Sequence, residues 1–309
     1  MPESIHLPPY GHVNADNAAF LARRPVPAGF RATPGGPIAS AVEWEAWLAS
    51  LAGQMSEFLW PIYTDQGWTG KAAATALALT RADLQVMRAM QSMMDQRIMA
   101  GGKPTGRHAD AWLREDEAAP GASLDYYQSK FPAMLLAELN KAITLGGMDI
   151  ARPASQGLKR LFQRPRPFQV AMILGEKEPL VVQASRSAIT PAMISGHCIQ
   201  GTLALAQVQL ALGEVLQATS GLTDDMQRFL IDTGDRRVFA GLHYPSDNLG
   251  SWFTALSLCQ HVFGDRAAEI RSHLWHAITT HSSVYEAMVR AGGIYAEPLA
   301  KLQLAAGVT

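Results

Sequence analysis

Cysteine is nearly absent from this chain: Cys198 and Cys259 are the two thiols in 309 residues. That excludes a disulfide framework and reads as two buried free thiols in a reducing compartment. Long apolar runs are missing too. No stretch approaches the ~20 uninterrupted apolar residues of a spanning helix. The nearest, residues 199–216, is broken by Gln200, Gln207, Gln209 and Glu214. Neither sign of charge dominates, with 26 Lys+Arg against 27 Asp+Glu and a formal net charge of −1. No global field therefore recruits nucleic acid or an anionic membrane, and any anion must be held locally, in a pocket. An N-terminal apolar signal is also lacking. Residues 1–40 are polar and interrupted by seven prolines, and Arg23-Arg24 runs into Pro25, Pro27 and Gly29 rather than opening a twin-arginine leader. The expectation is a soluble, cytoplasmic protein (periplasmic if a leader had been removed), without membrane insertion or a nucleic-acid partner.

Strand signals are few, and the best, Pro179-Leu-Val-Val-Gln183, is short. Helical signals dominate. Trp44, Trp47, Leu48, Leu51, Met55, Phe58 and Leu59 recur at three- and four-residue spacing. Lys71 to Met99 is rich in Ala, Leu and Met, with Thr80-Arg-Ala-Asp83 as an internal cap. Its methionines, Met87, Met90, Met93, Met94 and Met99, suit a core-facing stripe better than a metal site. Residues 101–121 read as a loop. Further helices are expected at 124–146, 148–162, 196–217, 222–238, 246–262 and 265–291. With no repeat and no second composition regime, the pattern predicts one all-α helical-bundle domain over 39–309. Residues 1–38 form an extended, Pro-rich N-terminal arm, whose Tyr10, Phe20 and Phe30 suit packing over the body or a partner subunit. The arm leaves room for a homodimer.

Three short polar signatures occur in order: Lys159-x6-Arg166-Pro167, Ser195-Gly196-His197, and Arg237-x5-His243-x3-Asp247. Each alone arises by chance in a few per cent of chains; all three in order arise in roughly one in 10^5. Ser195-Gly196-His197 precedes a long helical run, and a helix N-terminus offers unpaired N–H groups and partial positive charge to an anion. An isolated Ser there is more often only an N-cap. Lys159 and Arg166, with Arg164 between them, could be a solvated basic face. Pro165 and Pro167, however, fix Arg166, and a fixed guanidinium presents a bidentate fork for an oxyanion. Pro245 suits the first turn of a helix, which leaves His243 on the preceding turn with Asp247 one helical turn above it. An Asp beside a His fixes the Nδ1–H tautomer and frees Nε2 as a nucleophile, or merely tethers a turn. His273, His276 and His281 have no Cys or carboxylate framing them at ligand spacing, so no metal is implied.

These residues resemble the type 2 phosphatidic acid phosphatase superfamily, which includes bacterial class A acid phosphatases and vanadium haloperoxidases. Its pattern, K-x6-RP, PSGH and SR-x5-H-x3-D, is matched across about residues 124–262. Phe168, Gly241, Ser246 and Gly250 look like class A phosphatases as well. Ile194 replaces the motif's proline, and Arg236 replaces the serine before Arg237. The resemblance implies an all-α bundle in which Lys159, Arg166 and Arg237 clamp phosphate oxygens, helped by the Ser195 hydroxyl and the Gly196 N–H. His243, oriented by Asp247, would form a phosphohistidine, and His197 would serve as acid and then base. It implies hydrolysis of a small-molecule phosphate ester with no cofactor and a mildly acidic to neutral optimum.

The alternative is a vanadate-dependent haloperoxidase, in which His243 would ligate vanadium. Those enzymes resemble one another in placing an aromatic or histidine where this chain has Thr190, which favours a phosphatase. A second alternative is a non-catalytic oxyanion- or partner-binding helical protein. Against it, mere capture needs neither a nucleophile nor an acid.

Overall fold

The computed structural model describes residues 7–10, 25–99, 133–144, 149–177, 180–182, 185–217 and 220–308. The main helices are α1 (Ala41–Ser56), α2 (Ala76–Met99), α3 (Ala133–Thr144), α4 (Arg152–Phe162), α5 (Pro167–Ile173), α6 (Gly196–Gln217), α7 (Ser220–Phe239), α8 (Pro245–Phe263), α9 (Ala267–His281), α10 (Ser283–Ala291) and α11 (Ala296–Ala305). The all-α expectation holds. The segment expected at 101–121 and the first residues of the helix expected at 124–146 lie outside the described residues.

Helix α8 forms the axis of the bundle, packing against α2, α6, α7, α9, α10 and α11. Its first ten residues, Pro245 to Thr254, are all buried, polar ones included. A helix with no solvent face near its start must find partners for its polar side chains internally, and here Ser246, Asp247 and Ser251 find theirs by building a site. Around it α6 and α7 approach closely because two glycines remove side chains from their contact. A Cβ on Gly201 would lie 2.1 Å from the Leu230 carbonyl oxygen, and one on Gly234 would lie 2.7 Å from Cys198 Sγ. Leu203, Leu205 and Val208 of α6 and Phe229, Leu230 and Ile231 of α7 are fully or almost fully buried. Each such side chain contributes roughly 1.5–3 kcal/mol relative to exposure.

Several expectations are corrected. Residues 180–182 are irregular, not a strand; the described strands are β1 (Ile62–Thr64) and β2 (Gly67–Thr69), an antiparallel hairpin in register Ile62↔Thr69. Thr80-Arg-Ala-Asp83 does not cap anything, because α2 runs through it and the Asp83 carboxylate bonds across the bundle instead. The helix expected at 265–291 breaks at Ser282. That residue takes an extended conformation, and its hydroxyl accepts the Tyr285 N–H at 3.0 Å, starting α10 afresh. Met87 and Met90 are core residues.

The described parts of the arm lie against the body. Phe30 is fully buried, stacked on His261 at 5.0 Å and edge-on to Trp44 at 4.7 Å. Tyr10 is buried as well; its N–H donates to the Gln163 carbonyl at 2.8 Å and its hydroxyl to the Ala188 carbonyl at 3.0 Å. Among the described residues no helix is long and apolar enough to cross a membrane.

Candidate active site

The three signatures converge around the first turn of α8. Helix α4 ends at Phe162 because Gln163 adopts the left-handed conformation (φ 46°), and α5 restarts at Pro167, its first residue. Arg164, Pro165 and Arg166 form a buried link between the two helices. Lys159, in the last turn of α4, points its ammonium at the carbonyls of Pro191 and Ala192. Ser155 lies one turn before Lys159 on the same face, and a Cβ on Gly196 would sit 3.1 Å from its hydroxyl. That contact brings the N-terminus of α6 beside Lys159.

Helix α7 delivers Arg237 in its last turn, and the chain then turns tightly. The Arg237 carbonyl accepts the N–H groups of Leu242 at 3.1 Å and His243 at 3.2 Å. Gly241 (φ 72°) makes this turn, and a Cβ there would meet the Val181 carbonyl oxygen at 2.2 Å. The five-residue spacing from Arg237 to His243 is thus the length of a helix exit, returning both side chains to one place. Arg237 Nη2 donates to Ser185 Oγ at 2.9 Å. Pro245 opens α8, as its sequence position predicts.

His243 is held at both ring nitrogens. Nδ1 lies 3.2 Å from Asp247 Oδ2, and Nε2 lies 3.0 Å from Arg166 Nη1. A hydrogen bond to the Ala192 backbone favours the protonated ring. A guanidinium, however, can only donate, so the Arg166 contact favours a lone pair on Nε2 and an Nδ1–H directed at Asp247. Electrostatics agrees. Burial, then the charges of Arg166, Lys159 and Arg237, push the His243 imidazole well below the usual histidine range, which keeps it neutral. The same crowding acts on the cations. Burial, and next Arg166, lowers Lys159 well below an ordinary lysine, while burial brings Arg166 down to about 10. Buried charges of one sign, held apart by their scaffold, form a cradle that an oxyanion would relieve.

Arg166 is fixed by further bonds: Nε to the Thr190 carbonyl at 2.7 Å, Nη2 to Thr190 Oγ1 at 3.2 Å, and Nη1 to the Leu242 carbonyl at 2.6 Å. Ser195 is fully buried, and its Oγ accepts the Cys198 N–H at 3.3 Å, so it does cap α6. Its hydroxyl hydrogen remains available to a ligand oxygen, and capping does not exclude that second use. Ser251 ties this turn to α8: its single hydroxyl hydrogen is shared between the carbonyls of Asp247 (2.7 Å) and Ser195 (3.1 Å), and its oxygen accepts the Ser195 N–H. His197 is half-buried in the first turn of α6. Ile194 is buried in the core, and Arg236 is buried beside Phe229, with Nη2 on Thr233 Oγ1 at 3.0 Å.

Sequence reasoning passed over the layer beneath the histidine. Arg164 donates to Asp247 Oδ1 at 2.8 Å, to Ser246 Oγ at 2.7 Å and to Asp83 Oδ2 at 2.8 Å. Its guanidinium lies between the rings of Trp60 (4.1 Å) and Tyr244 (3.7 Å). The available signal was that Lys159-x6-Arg166 holds Arg160 and Arg164 as well, four cations in a segment too apolar for a wholly solvated face.

The other described histidines lie elsewhere. His273 and His281 both face Gln227, at 3.5 and 3.2 Å. Among the described residues no group of three or more His, Cys, Asp or Glu side chains is placed to hold a metal. Compared with known proteins, residues 139–271 match the family model of the PAP2 superfamily. No curated protein and no solved structure matches the chain.

Proposed function

We propose, on the premise that residues 139–271 belong to the PAP2 superfamily, that the chain hydrolyses a soluble phosphomonoester through a phosphohistidine, without a metal. The family is phosphatase-related, which supports phosphoester hydrolysis in general; substrate class and mechanism are our reading. The observation that carries it is the placement of His243, buried among Lys159, Arg166 and Arg237 with Nδ1 on the Asp247 carboxylate and Nε2 on the side where those cations gather. A monoester offers three non-bridging oxygens to match Lys159, Arg166 and Arg237.

In this reading the arriving dianion is a stronger acceptor than imidazole, so Arg166 turns its N–H to a phosphoryl oxygen and releases the Nε2 lone pair. Lys159 exchanges its carbonyl partners for the same ligand. The Ser195 hydroxyl and the N–H groups opening α6 complete the grip. Nε2 then bonds to phosphorus as the P–O ester bond breaks, and His197 protonates the leaving oxygen. His197 next takes a proton from water, whose oxygen attacks phosphorus while the P–N bond breaks and phosphate departs. Positioning and charge stabilisation supply most of the catalysis in such a transfer.

Vanadate has the same tetrahedral shape and would meet the same cradle. Thr190, which stands where haloperoxidases place an aromatic or histidine, is here committed to holding Arg166. The test is p-nitrophenyl phosphate turnover with EDTA present, for wild type and His243→Ala, with and without orthovanadate. Turnover that resists EDTA, is blocked by vanadate and is lost in the variant is expected. Halide- and peroxide-dependent bromination after vanadate loading, without ester hydrolysis, would overturn it in favour of a haloperoxidase. Tight phosphate binding with neither activity would leave an oxyanion-binding protein.

A further inference from the structure

The buried layer behind Asp247 is closed by two residues from outside the family-matched segment. Asp83 comes from α2, and Tyr295 from the short turn before α11. Asp83 Oδ2 accepts from Arg164 Nη2 at 2.8 Å and from the Ser246 hydroxyl, and Oδ1 accepts the Ser246 N–H at 3.2 Å. The Tyr295 hydroxyl donates to Asp83 Oδ1 at 2.9 Å. Asp83 is fully buried and Tyr295 almost so. The chain of contacts runs His243, Asp247, Arg164, Asp83, Tyr295, crossing from the reacting nitrogen to the C-terminal part of the fold.

We propose that Asp83 is a positioning residue for the His243–Asp247 pair, acting through Arg164 and itself held by Tyr295; the catalytic part of this rests on the phosphatase reading above. Arg164 is one cation shared by two carboxylates on opposite edges of its guanidinium. While Asp83 takes half of it, Asp247 keeps enough negative charge at Oδ2 to hold the Nδ1 proton of His243. With Asp83 neutralised, the whole cation draws on Asp247 Oδ1, and Oδ2 becomes a weaker acceptor. The neutral imidazole tolerates this. The phosphoryl-imidazolium, whose charge Asp247 must balance, does not, so the cost falls on the chemical step. Lys159, Arg166 and Arg237, which grip the ester, do not bond to Asp83.

The test compares wild type with Asp83→Asn and Tyr295→Phe, by p-nitrophenyl phosphate kinetics and by NMR of the His243 Nδ1 proton. Asp83→Asn should lower kcat about tenfold to a hundredfold. Its KM and its inhibition constant for inorganic phosphate should stay within about threefold, and the Nδ1 proton should move upfield. Tyr295→Phe, which removes one hydroxyl and keeps the ring, should shift kcat and the Nδ1 resonance in the same direction by less, and it decides the matter if Asp83→Asn does not fold. Unchanged kcat and an unmoved resonance in a folded variant would overturn the proposal, as would parallel loss of kcat and inorganic phosphate binding. Wild type without turnover but with a resonance that moves would sink the phosphatase reading and leave the positioning role standing.

Discussion

Replacing Asp247 by Asn removes one charge and keeps the shape, and the surrounding donors dictate the consequence. Asp247 Oδ1 accepts from Arg164 at 2.8 Å, while Oδ2 accepts from the Tyr244 N–H at 3.0 Å and from His243 Nδ1 at 3.2 Å. Every group facing this carboxylate is a donor. Asn offers one acceptor oxygen and one NH2, so its NH2 must face donors on one side. Arg164 is a cation with no lone pair, so the oxygen goes to it and the NH2 meets Tyr244 N–H and His243 Nδ1. The imidazole can answer only by moving its proton to Nε2, which then meets the Arg166 donor and has no lone pair for phosphorus. An Asp-to-Asn change that imposes the wrong tautomer costs ~10^4 in the serine-protease triad. Here about 10^3- to 10^4-fold in kcat is expected, equivalent to about 4–5.5 kcal/mol. Inhibition by inorganic phosphate should change less than kcat, since the clamping cations remain. The assay is p-nitrophenyl phosphate turnover beside histidine 15N NMR, in which the variant should carry its His243 proton on Nε2. A variant within about threefold of wild-type kcat would refute the reasoning.

Four further outcomes are expected. Because His243 is held well below 6.5, the nucleophile stays neutral as pH falls past that value, so the acid limb of kcat/KM should lie below pH 6.5. For stability the sign is opposite: the unfolded histidine takes up a proton near 6.5 and the folded one does not, so His243 makes stability fall as pH drops through that window. Comparing urea unfolding of wild type and His243→Gln between pH 7 and 5 separates this contribution from the opposing one of Asp235, raised to about 7. Arg164→Ala leaves the buried carboxylates of Asp83 and Asp247 without their shared cation and should destabilise the fold by about 3–5 kcal/mol. A loss under about 1 kcal/mol would show that Arg164 is not the linchpin described. Gly241→Ala demands a Cβ at φ 72° and 2.2 Å from the Val181 carbonyl oxygen. It should lower the Tm and also kcat, because the chain pushed aside leads to Ser185 and Thr190, which hold Arg237 and Arg166.

The features legible in the sequence were those that local spacing encodes. Pro245 announced the start of α8, which places His243 and Asp247 one turn apart, and the Pro residues flanking Arg166 announced a fixed guanidinium. Helix periodicity located α6 at both of its ends, Gly196 and Gln217. The partners of Asp83 and Tyr295 were not legible, because they come from residues 81 and 212 positions away. Asp83 inside Thr80-Arg-Ala-Asp83 has the local look of a cap, and its burial is a property of the bundle, not of its neighbours. The break at Ser282 did carry a signal, a Ser N-cap with Glu286 in the first turn of α10. The apolar periodicity through 265–291 simply ran across it. The β1–β2 hairpin, three residues a side, is too short for alternation to register.

The central claim is that His243 becomes phosphorylated during turnover. Its most direct test uses His197→Ala with p-nitrophenyl phosphate, whose leaving group departs without protonation, so phosphorylation proceeds while the water step loses its base. After an alkaline quench, which preserves a P–N bond, mass spectrometry should find one phosphoryl group on the peptide bearing His243. A protein that turns over the ester yet carries no phosphoryl group there, or carries it on Ser195, would contradict the account.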